Sequence, residues 1–539
     1  MNNQVAINMR MSRRLYLTGT AMHTLLAGCI ILLASILYVG SVYQATAGQS
    51  FRLDSDYDSN FPIVSYVVDT VRGEHRFPLR NPYVTSGISV PGDPFSGVLY
   101  LPYLLPMLLF GIETGWRVVI VLHAFLAGVF MWRLLRELQG KKSGDGLPLW
   151  GGLLYMGSGA FAARVAAGHI EKVLSYSWYP LFISGLLATG QARRPMSLLI
   201  GAVMGIVFLT GDVYGLMFMA VFYGVVVIIT IASSPGQWFR AGGEVVRVML
   251  AFIAVAAVKL IPFLTDVLPV IARYGSFEAA KGSLHVVWAW VPFVVPWGAA
   301  FYDRMQFQGI FGFWYNWYEY YAFIGPPIIF LTALPAMLKR NDARMLVILF
   351  ATGLMYISRG HPYSVFYWLE QYVPVVSWFR APQRMYEAMT SIIVILVTLS
   401  ARRVIKRKTV WLATLAVVLL VNGHQMTNAL EKPRTGEDLL VRQLAAVAGQ
   451  GSTVATFSCC MQTFLIAKKI RIVNYYYGWR PKNALRYVTP ATDEFDLTAL
   501  EQEKPSYIIA PKDMMFGRYG YEIWFGDGNN VVWRVSKLS

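Results

Sequence analysis

The chain predicts an all-α polytopic membrane domain followed by a small α/β domain. Three observations carry this. Of its 539 residues 56% are hydrophobic and 14% charged, and mean hydropathy is +0.46, whereas a soluble domain is roughly a quarter charged. Several apolar runs reach the roughly 20 residues needed to cross a bilayer. From about Asn428 onward charges become frequent and the runs turn β-rich.

The first apolar run, Leu15–Tyr43, is too long for a signal-peptide core and shows no small-residue cleavage site, so it reads as a retained helix. Basic clusters then alternate with acidic or aromatic loops. They are Arg10/Arg13/Arg14, Arg133/Arg136/Lys141/Lys142, Arg193/Arg194, Arg240/Arg247, Lys339/Arg340/Arg344 and Arg402/Arg403/Lys406/Arg407/Lys408. Placing all of them in the cytoplasm gives one consistent path. Spans fall near 15–43, 116–135, 148–166, 174–190, 197–212, 215–232, 247–268, 321–338, 344–358, 387–404 and 409–428, about eleven helices of near-spanning length. The N-terminus is then cytoplasmic, the C-terminal domain extracytoplasmic, and the protein a multi-pass component of the cell membrane. Gly97–Gly111 is apolar but short and carries Pro102 and Pro106. It reads as a helix lying at the outer interface, because a further span would invert every later loop.

Residues 1–428 thus form the membrane domain, with outer loops 44–115, 269–320 and 359–386. The first loop concentrates Asp54, Asp56, Asp58, Asp69, Glu74 and Asp93 in a chain of formal charge +17. The second is crowded with Trp288, Trp290, Trp297, Trp314 and Trp317, which suits an interfacial belt or stacking on sugar rings. Residues 429–539 hold the β-rich runs VATFS, RIVNYYY, SYIIAP and YEIWFGDGNNVVWRVS, the last a hairpin about Asp527–Asn530, with LTALEQEK helix-like between them. Cys29 lies in the first span, and Cys459 and Cys460 are adjacent. Three cysteines so placed make no disulfide framework.

Charge in or near hydrocarbon is costly, so ionisable residues there are candidates for function. Lys259, in AVAAVKLIPFL, sits mid-span. It reads as paired with Asp266, as holding a substrate phosphate, or as a snorkelling structural lysine. Asp56, Asp58, His169, Glu171, Lys172, Asp212, Glu319 and Arg380/Arg384 all fall near one outer plane and could converge on one cavity. Two arginines four residues apart match phosphate oxygens bidentately; the plainer reading is two surface arginines. DSDYDS allows three readings: an acid–base carboxylate, a Mg or Mn site on Asp56 and Asp58, or a solvated turn. A Walker loop, a dinucleotide fingerprint and HExxH are all missing.

The order of motifs resembles the GT-C superfamily of integral-membrane glycosyltransferases, in its YfhO-like bacterial branch. The motifs are an Asp-bearing first loop, GEHRFP at Gly73–Pro78, Asp93–Pro102 (D-P-F…Y-L-P), AGHIEKVLSYSWYPL at Ala167–Leu181, WYEYYAFIG at Trp317–Gly325 and FRAPQR at Phe379–Arg384. The resemblance implies an inverting transfer of a sugar from a polyprenyl-phosphate donor to an acceptor hydroxyl on the outer face. The acceptor would be a glycan, lipid or protein. Asp56, with Asp58 next, would be the base, and Glu171 the second acidic group. Arg380 and Arg384, with Lys259 behind them, would hold the donor phosphate. His169, Asp212, Glu319 and Trp317 would contact substrate. The triple Asp departs from the pattern and leaves the base ambiguous. Membrane lipids surround such a protein, and no nucleic acid is expected. Competing readings are a transporter or flippase of lipid-linked sugars, which Lys259 and the Pro-broken segments suit, and a non-catalytic envelope assembly factor.

Overall fold

The computed structural model describes residues 22–40, 57–83, 88–140, 146–189, 194–233, 236, 238–269, 283–296, 317–325, 331, 333–373, 379, 381–404, 408–430, 443–444, 446, 453–456, 471–472, 506–511, 521–526 and 530–535, with no side chain before Ile63 in the second segment. Among these, six helices are long and apolar enough to cross a membrane: Met22–Gly40 (α1), Ile112–Gln139 (α4), Val213–Ser233 (α10), Trp238–Val267, Pro382–Ala401 and Lys408–Thr427. Trp238–Val267 comprises α11 (Trp238–Pro262) and a π turn (Phe263–Val267); the last two lie in α14 (Tyr386–Val404, entered through a 3₁₀ turn at Pro382–Met385) and α15 (Lys408–Leu430). The apolar α9 (Arg194–Leu209) and α12 (Asn341–Ile357) are slightly shorter. The chain is a multi-pass membrane protein. Buried side chains of these helices form one continuous core, and leucines such as Leu250 and Leu420 remain exposed on the outside of the bundle, as a lipid-facing surface requires.

Two expected spans are each broken in half. Residues 148–166 form α5 (Leu147–Met156) and α6 (Gly159–Ala167), and 174–190 form α7 (Ile170–Tyr176) and α8 (Tyr179–Thr189). A helix break inside a bundle is tolerated only if the freed backbone groups find partners, because each orphan costs several kcal/mol. Here they do. Asn422 Nδ2 on α15 donates to Gly157 O at 2.8 Å, and Gly159 N donates to Phe323 O at 2.8 Å. Ser158 Oγ and Tyr176 OH share a bond of 2.7 Å, and Tyr155 OH donates to Tyr176 O at 2.8 Å. Gly159 has no room for a side chain, since a Cβ there would meet Phe323 N at 2.4 Å.

The expected span at 321–338 is a correction of another kind. Tyr321–Gly325 is non-helical, and beyond it only Leu334–Met337 turns as helix among the described residues. The strand-like segment spends its backbone on neighbours: Phe323 O serves Gly159 and Asn422, while Ile324 N and Gly325 N donate to Phe293 O. Pro326 and Pro327 follow in sequence and disfavour a continuing helix.

Between α1 and α4 lie α2 (Tyr57–Glu74), a two-residue ribbon β1 (Arg80–Asn81)–β2 (Ile88–Ser89), and α3 (Leu101–Phe110). Ten residues rise about 15 Å, half of a hydrocarbon core, so α3 does not span. It buries Tyr103, Leu104 and Met107 and exposes Leu101, Leu105 and Leu109 along one side. At one end of the bundle Arg136 Nη1 donates to Thr24 Oγ1 and Arg340 Nη2 to Leu138 O, both at 3.0 Å. The loop Gly92–Gly97 closes a different region: Gly211, at φ +90°, lies so close to Phe95 that a Cβ would meet its carbonyl oxygen at 2.4 Å.

The C-terminal residues form a mixed five-stranded sheet in the order β4-β3-β5-β7-β6. β3 (Thr453–Thr456) pairs in parallel with β4 (Arg471–Ile472) and β5 (Tyr507–Pro511), and β7 (Asn530–Val535) pairs antiparallel with β5 and β6 (Tyr521–Gly526). Each of the four β-rich runs contains a strand among the described residues, and β6 and β7 pair antiparallel as the expected hairpin. LTALEQEK, Cys459 and Cys460 lie outside the described residues.

Asn422 makes three side-chain bonds, the third as acceptor from Tyr321 OH at 2.8 Å. Asn422→Leu keeps the branched shape and orphans Gly157 O and Tyr321 OH, at about 1–3 kcal/mol each before relaxation, while Phe323 O keeps Gly159 N. We expect thermal unfolding of the purified protein in detergent to occur several degrees lower. An unchanged midpoint would mean that the broken helices are held without Asn422.

Candidate active site

Seven ionisable side chains meet inside the bundle. Arg164 comes from α6, Glu171 and Lys172 from α7, and Asp212 from the turn between α9 and α10. Glu319 comes from a 3₁₀ turn at Trp317–Glu319, Arg384 from the turn that enters α14, and Glu387 from the first turn of α14. Most are almost fully buried; Glu171 retains 8% exposure and the Arg384 side chain 18%. These two open the cluster to its surroundings.

Glu319 is the hinge of the cluster. Its Oε1 accepts a fork from Arg384, Nη2 at 2.7 Å and Nε at 3.0 Å, and its Oε2 accepts from Arg164 Nη1 at 2.6 Å. Burial alone would raise the Glu319 carboxyl, but Arg164 and Arg384 hold it well below the usual carboxylate range. Arg164 Nε lies 2.7 Å from Glu387 Oε1, an ion pair made without an aligned hydrogen bond. Arg164 Nη1 also reaches His169 Nδ1 at 3.0 Å.

Lys172 pairs with Asp212, which also takes Ser175 Oγ and, at 2.8 Å, the amide of Gly215. The Tyr214 ring lies between the two halves of the cluster, with Lys172 Nζ and the Arg384 guanidinium carbon each 4.7 Å from its centroid. Three cations therefore face four carboxylates. Glu319, Glu387 and Asp212 are spent on Arg164, Arg384 and Lys172, which leaves Glu171. Its carboxylate makes no hydrogen bond or ion pair with another described residue, and burial pushes it above its usual range, an effect that His169, Lys172 and Arg384 only partly offset. A partly exposed carboxyl of raised pKa beside a half-open arginine is suited to proton transfer next to an anion.

The structure thus brings together His169, Glu171, Asp212, Glu319 and Arg384 of the residues singled out by sequence. Trp317 stands beside them, edge-on to Tyr318 and Tyr321. Lys259 is not paired with Asp266, whose Oδ1 accepts from Thr265 Oγ1. Its amine donates to Ser96 O at 2.8 Å and Pro94 O at 3.2 Å and covers the Phe208 ring, tying the Asp93–Pro102 motif to α11. Asp56 and Arg380 lie outside the described residues. Asp58 is in the first turn of α2, with its side chain outside them. Among the described residues no three His, Cys, Asp or Glu side chains gather as metal ligands, and the Mg or Mn expectation on Asp56 and Asp58 falls on undescribed side chains. Arg164, Lys172 and Glu387 carry no chemical role in the sequence reading, although Lys172 stands with Glu171 in its outer-plane set. The signal was present for two of them: Arg164 falls inside the expected span 148–166 and Glu387 at the start of 387–404, the depth argument that selected Lys259.

No protein-family model matches the sequence, and comparison with curated proteins finds no match. Solved structures do match. ArnT from Cupriavidus metallidurans in the apo state has a TM-score of 0.55 at 12% identity, over 94% of this chain and 97% of that one. The same enzyme bound to undecaprenyl phosphate gives 0.54 at 12% identity, over 97% and 99%. The oligosaccharyltransferase AglB from Archaeoglobus fulgidus, in complex with an inhibitory peptide and a dolichol-phosphate, gives 0.51 at 11% identity, over 96% and 75%. The arabinofuranosyltransferase AftD from Mycobacteria gives 0.55 at 12%, over 96% of this chain and 40% of that one. The fold of this chain is that of the GT-C membrane glycosyltransferases.

Removing one partner of a buried ion network costs about 3–5 kcal/mol because an uncompensated charge remains. Glu319→Gln should therefore lower the thermal midpoint far more than Trp317→Ala, with both followed by unfolding in detergent. Equal midpoints for Glu319→Gln and the wild type would show that the two arginines are neutralised elsewhere.

Proposed function

We propose that this protein is a membrane glycosyltransferase. It would move a sugar from a polyprenyl-phosphate-linked donor to an acceptor hydroxyl on the outer face of the membrane, with inversion at the anomeric carbon. The observation that carries this reading is one surplus carboxylate, Glu171, close enough to Arg384 to feel its charge, with the Arg384 side chain still 18% exposed, inside a GT-C fold. The likeness to enzymes solved with undecaprenyl phosphate and dolichol-phosphate supports the donor class. The ordered sequence motifs support the YfhO-like branch.

The chemistry follows from charge. The acceptor hydroxyl attacks the anomeric carbon and its proton goes to a carboxylate. The bond from that carbon to the phosphate oxygen breaks, and the lipid phosphate leaves with the electron pair. Negative charge grows on the phosphate, where preorganised cations act most strongly. Arg384 spends Nε and one Nη2 donor on Glu319, and its remaining N–H groups are available to phosphate oxygens; Arg380 of the same motif is its proposed companion. Asp56 or Asp58 is the proposed base in the first loop. Glu171 is the carboxylate placed to share or replace that role, with His169, Asp212, Glu319 and Trp317 around it. Any divalent ion would sit on Asp56 and Asp58.

In this reading the end of the bundle that bears Arg136 and Arg340 is cytoplasmic and the C-terminal sheet domain, 429–539, is extracytoplasmic. Gly140, next to that end, tests the orientation. Gly140→Cys should resist membrane-impermeant thiol labelling in intact cells and Gly451→Cys should react. The reverse pattern inverts the topology.

The reaction itself is tested with the purified chain in lipid, a set of polyprenyl-phosphate sugars, and mass spectrometry of the product. The same analysis of lipid-linked sugars and envelope glycans in cells with and without the protein identifies the sugar. Asp56→Asn or Asp58→Asn should abolish turnover while donor binding persists, and loss of turnover in Glu171→Gln alone would move the base to α7. Glu171 acts as a base only when ionised. Its raised pKa predicts that turnover falls on acidification at a higher pH than an ordinary carboxylate would give, and that Glu171→Gln removes this limb. A profile flat from neutral pH down to the ordinary carboxylate range speaks against the role.

A further inference from the structure

Glu387 is fully buried and reaches no surface where a substrate could lie. It sits in the first turn of α14, where the helix N-terminus favours a negative charge. Among the described residues its one charged partner within ion-pair distance is Arg164, which grips Glu319 with its other end, and Glu319 in turn holds the Arg384 fork. We propose that Glu387 is a positioning residue: by neutralising Arg164 from behind, it leaves the Glu319 carboxylate free to fix the Arg384 guanidinium, and so sets the affinity for a lipid-linked phosphate. This rests on the donor reading given above.

The argument is one of divided charge. Glu319 has two oxygens and two cations to serve. With Glu387 ionised, Arg164 is already compensated and asks little of Glu319. Without Glu387, Arg164 carries an unshared charge in a medium of low dielectric, where such a charge interacts strongly. It then draws Glu319 toward itself and loosens the fork on Arg384. No packing change is needed; a neutral glutamine in place of Glu387 suffices.

The test uses the full-length protein in detergent and undecaprenyl phosphate as the probe, titrated by native mass spectrometry, with thermal unfolding of each variant alongside. Glu387→Gln should weaken binding about tenfold, and Arg164→Gln, which takes away the competitor for Glu319, should weaken it less. The double variant removes both charges at once and leaves the Glu319–Arg384 pair alone, so it should recover to within about threefold of the wild type; contacting charges couple in this non-additive way. A double variant as weak as the weaker single one, or weaker, overturns the proposal, because that is what a packing role gives. If Glu387→Gln does not fold, a double variant that folds and binds supports the coupling, and one that also fails to fold overturns it. Wild-type binding with Glu387→Gln unchanged overturns this inference and leaves the donor reading standing. A wild-type chain that does not bind undecaprenyl phosphate removes the donor reading and this inference with it.

Discussion

Seven charges are held inside an apolar bundle, and the neutralisation of those charges governs the rest of the structure. An isolated ion in such a medium is worth several kcal/mol of instability after relaxation. Six of the seven are matched in ion pairs, Glu171 being the surplus carboxylate, and matching fixes geometry. Arg164 cannot move without losing Glu319 and Glu387, and Arg384 cannot move without losing Glu319. The elements that supply these residues, α6, α14 and the turn at Trp317–Glu319, are thereby locked to one another at one depth. The pairing of Lys172 with Asp212 does the same for α7 and the turn between α9 and α10.

The broken helices follow from the same constraint. A straight span at 148–166 would continue through the depth where Arg164 meets Glu319. The break at Gly157–Ser158 sets α6 as a separate short helix, all of whose side chains are buried. The cost in backbone hydrogen bonds is offset by Asn422, Phe323 and Tyr176. Sequence reading missed this because hydropathy registers apolar content and not the direction of the helix axis. Gly157 and Ser158 stand in an otherwise apolar run and look like ordinary small residues. Only the partners, up to 265 positions away in sequence, show that the backbone there is open.

What sequence could reach was the class and most of the site's membership. Charge alternation and apolar length gave the polytopic domain, and the four β-rich runs gave the C-terminal strands, because both signals are local. The plane shared by His169, Glu171, Asp212, Glu319 and Arg384 was legible because each sits at the end of an expected span. Their roles were not. Whether a carboxylate is spent on a cation or left over depends on which arginine lies behind it, and sequence separation hides that: Arg164 and Glu319 are 155 positions apart. Lys259 illustrates the converse. A mid-span lysine invites a functional reading, and the transporter alternative leaned on it. Its amine instead serves two loop carbonyls, which gives the buried charge a structural reason.

That use of Lys259 connects the charge cluster to the first loop. The carbonyls it holds belong to Pro94 and Ser96, and between them Phe95 packs its backbone on Gly211, next to Asp212. The loop segment that follows α2 is thus pinned from two sides, by a buried cation on α11 and by a glycine whose positive φ admits no side chain without strain. One of these contacts adjoins the carboxylate that neutralises Lys172. Movement of the Asp93–Pro102 motif would be felt at Asp212, through Gly211, before it reached Glu171. The cluster and the Asp93–Pro102 segment are therefore parts of one packed unit. A site assembled from such distant stretches of sequence keeps its geometry because the backbone joining them is held as firmly as its charges.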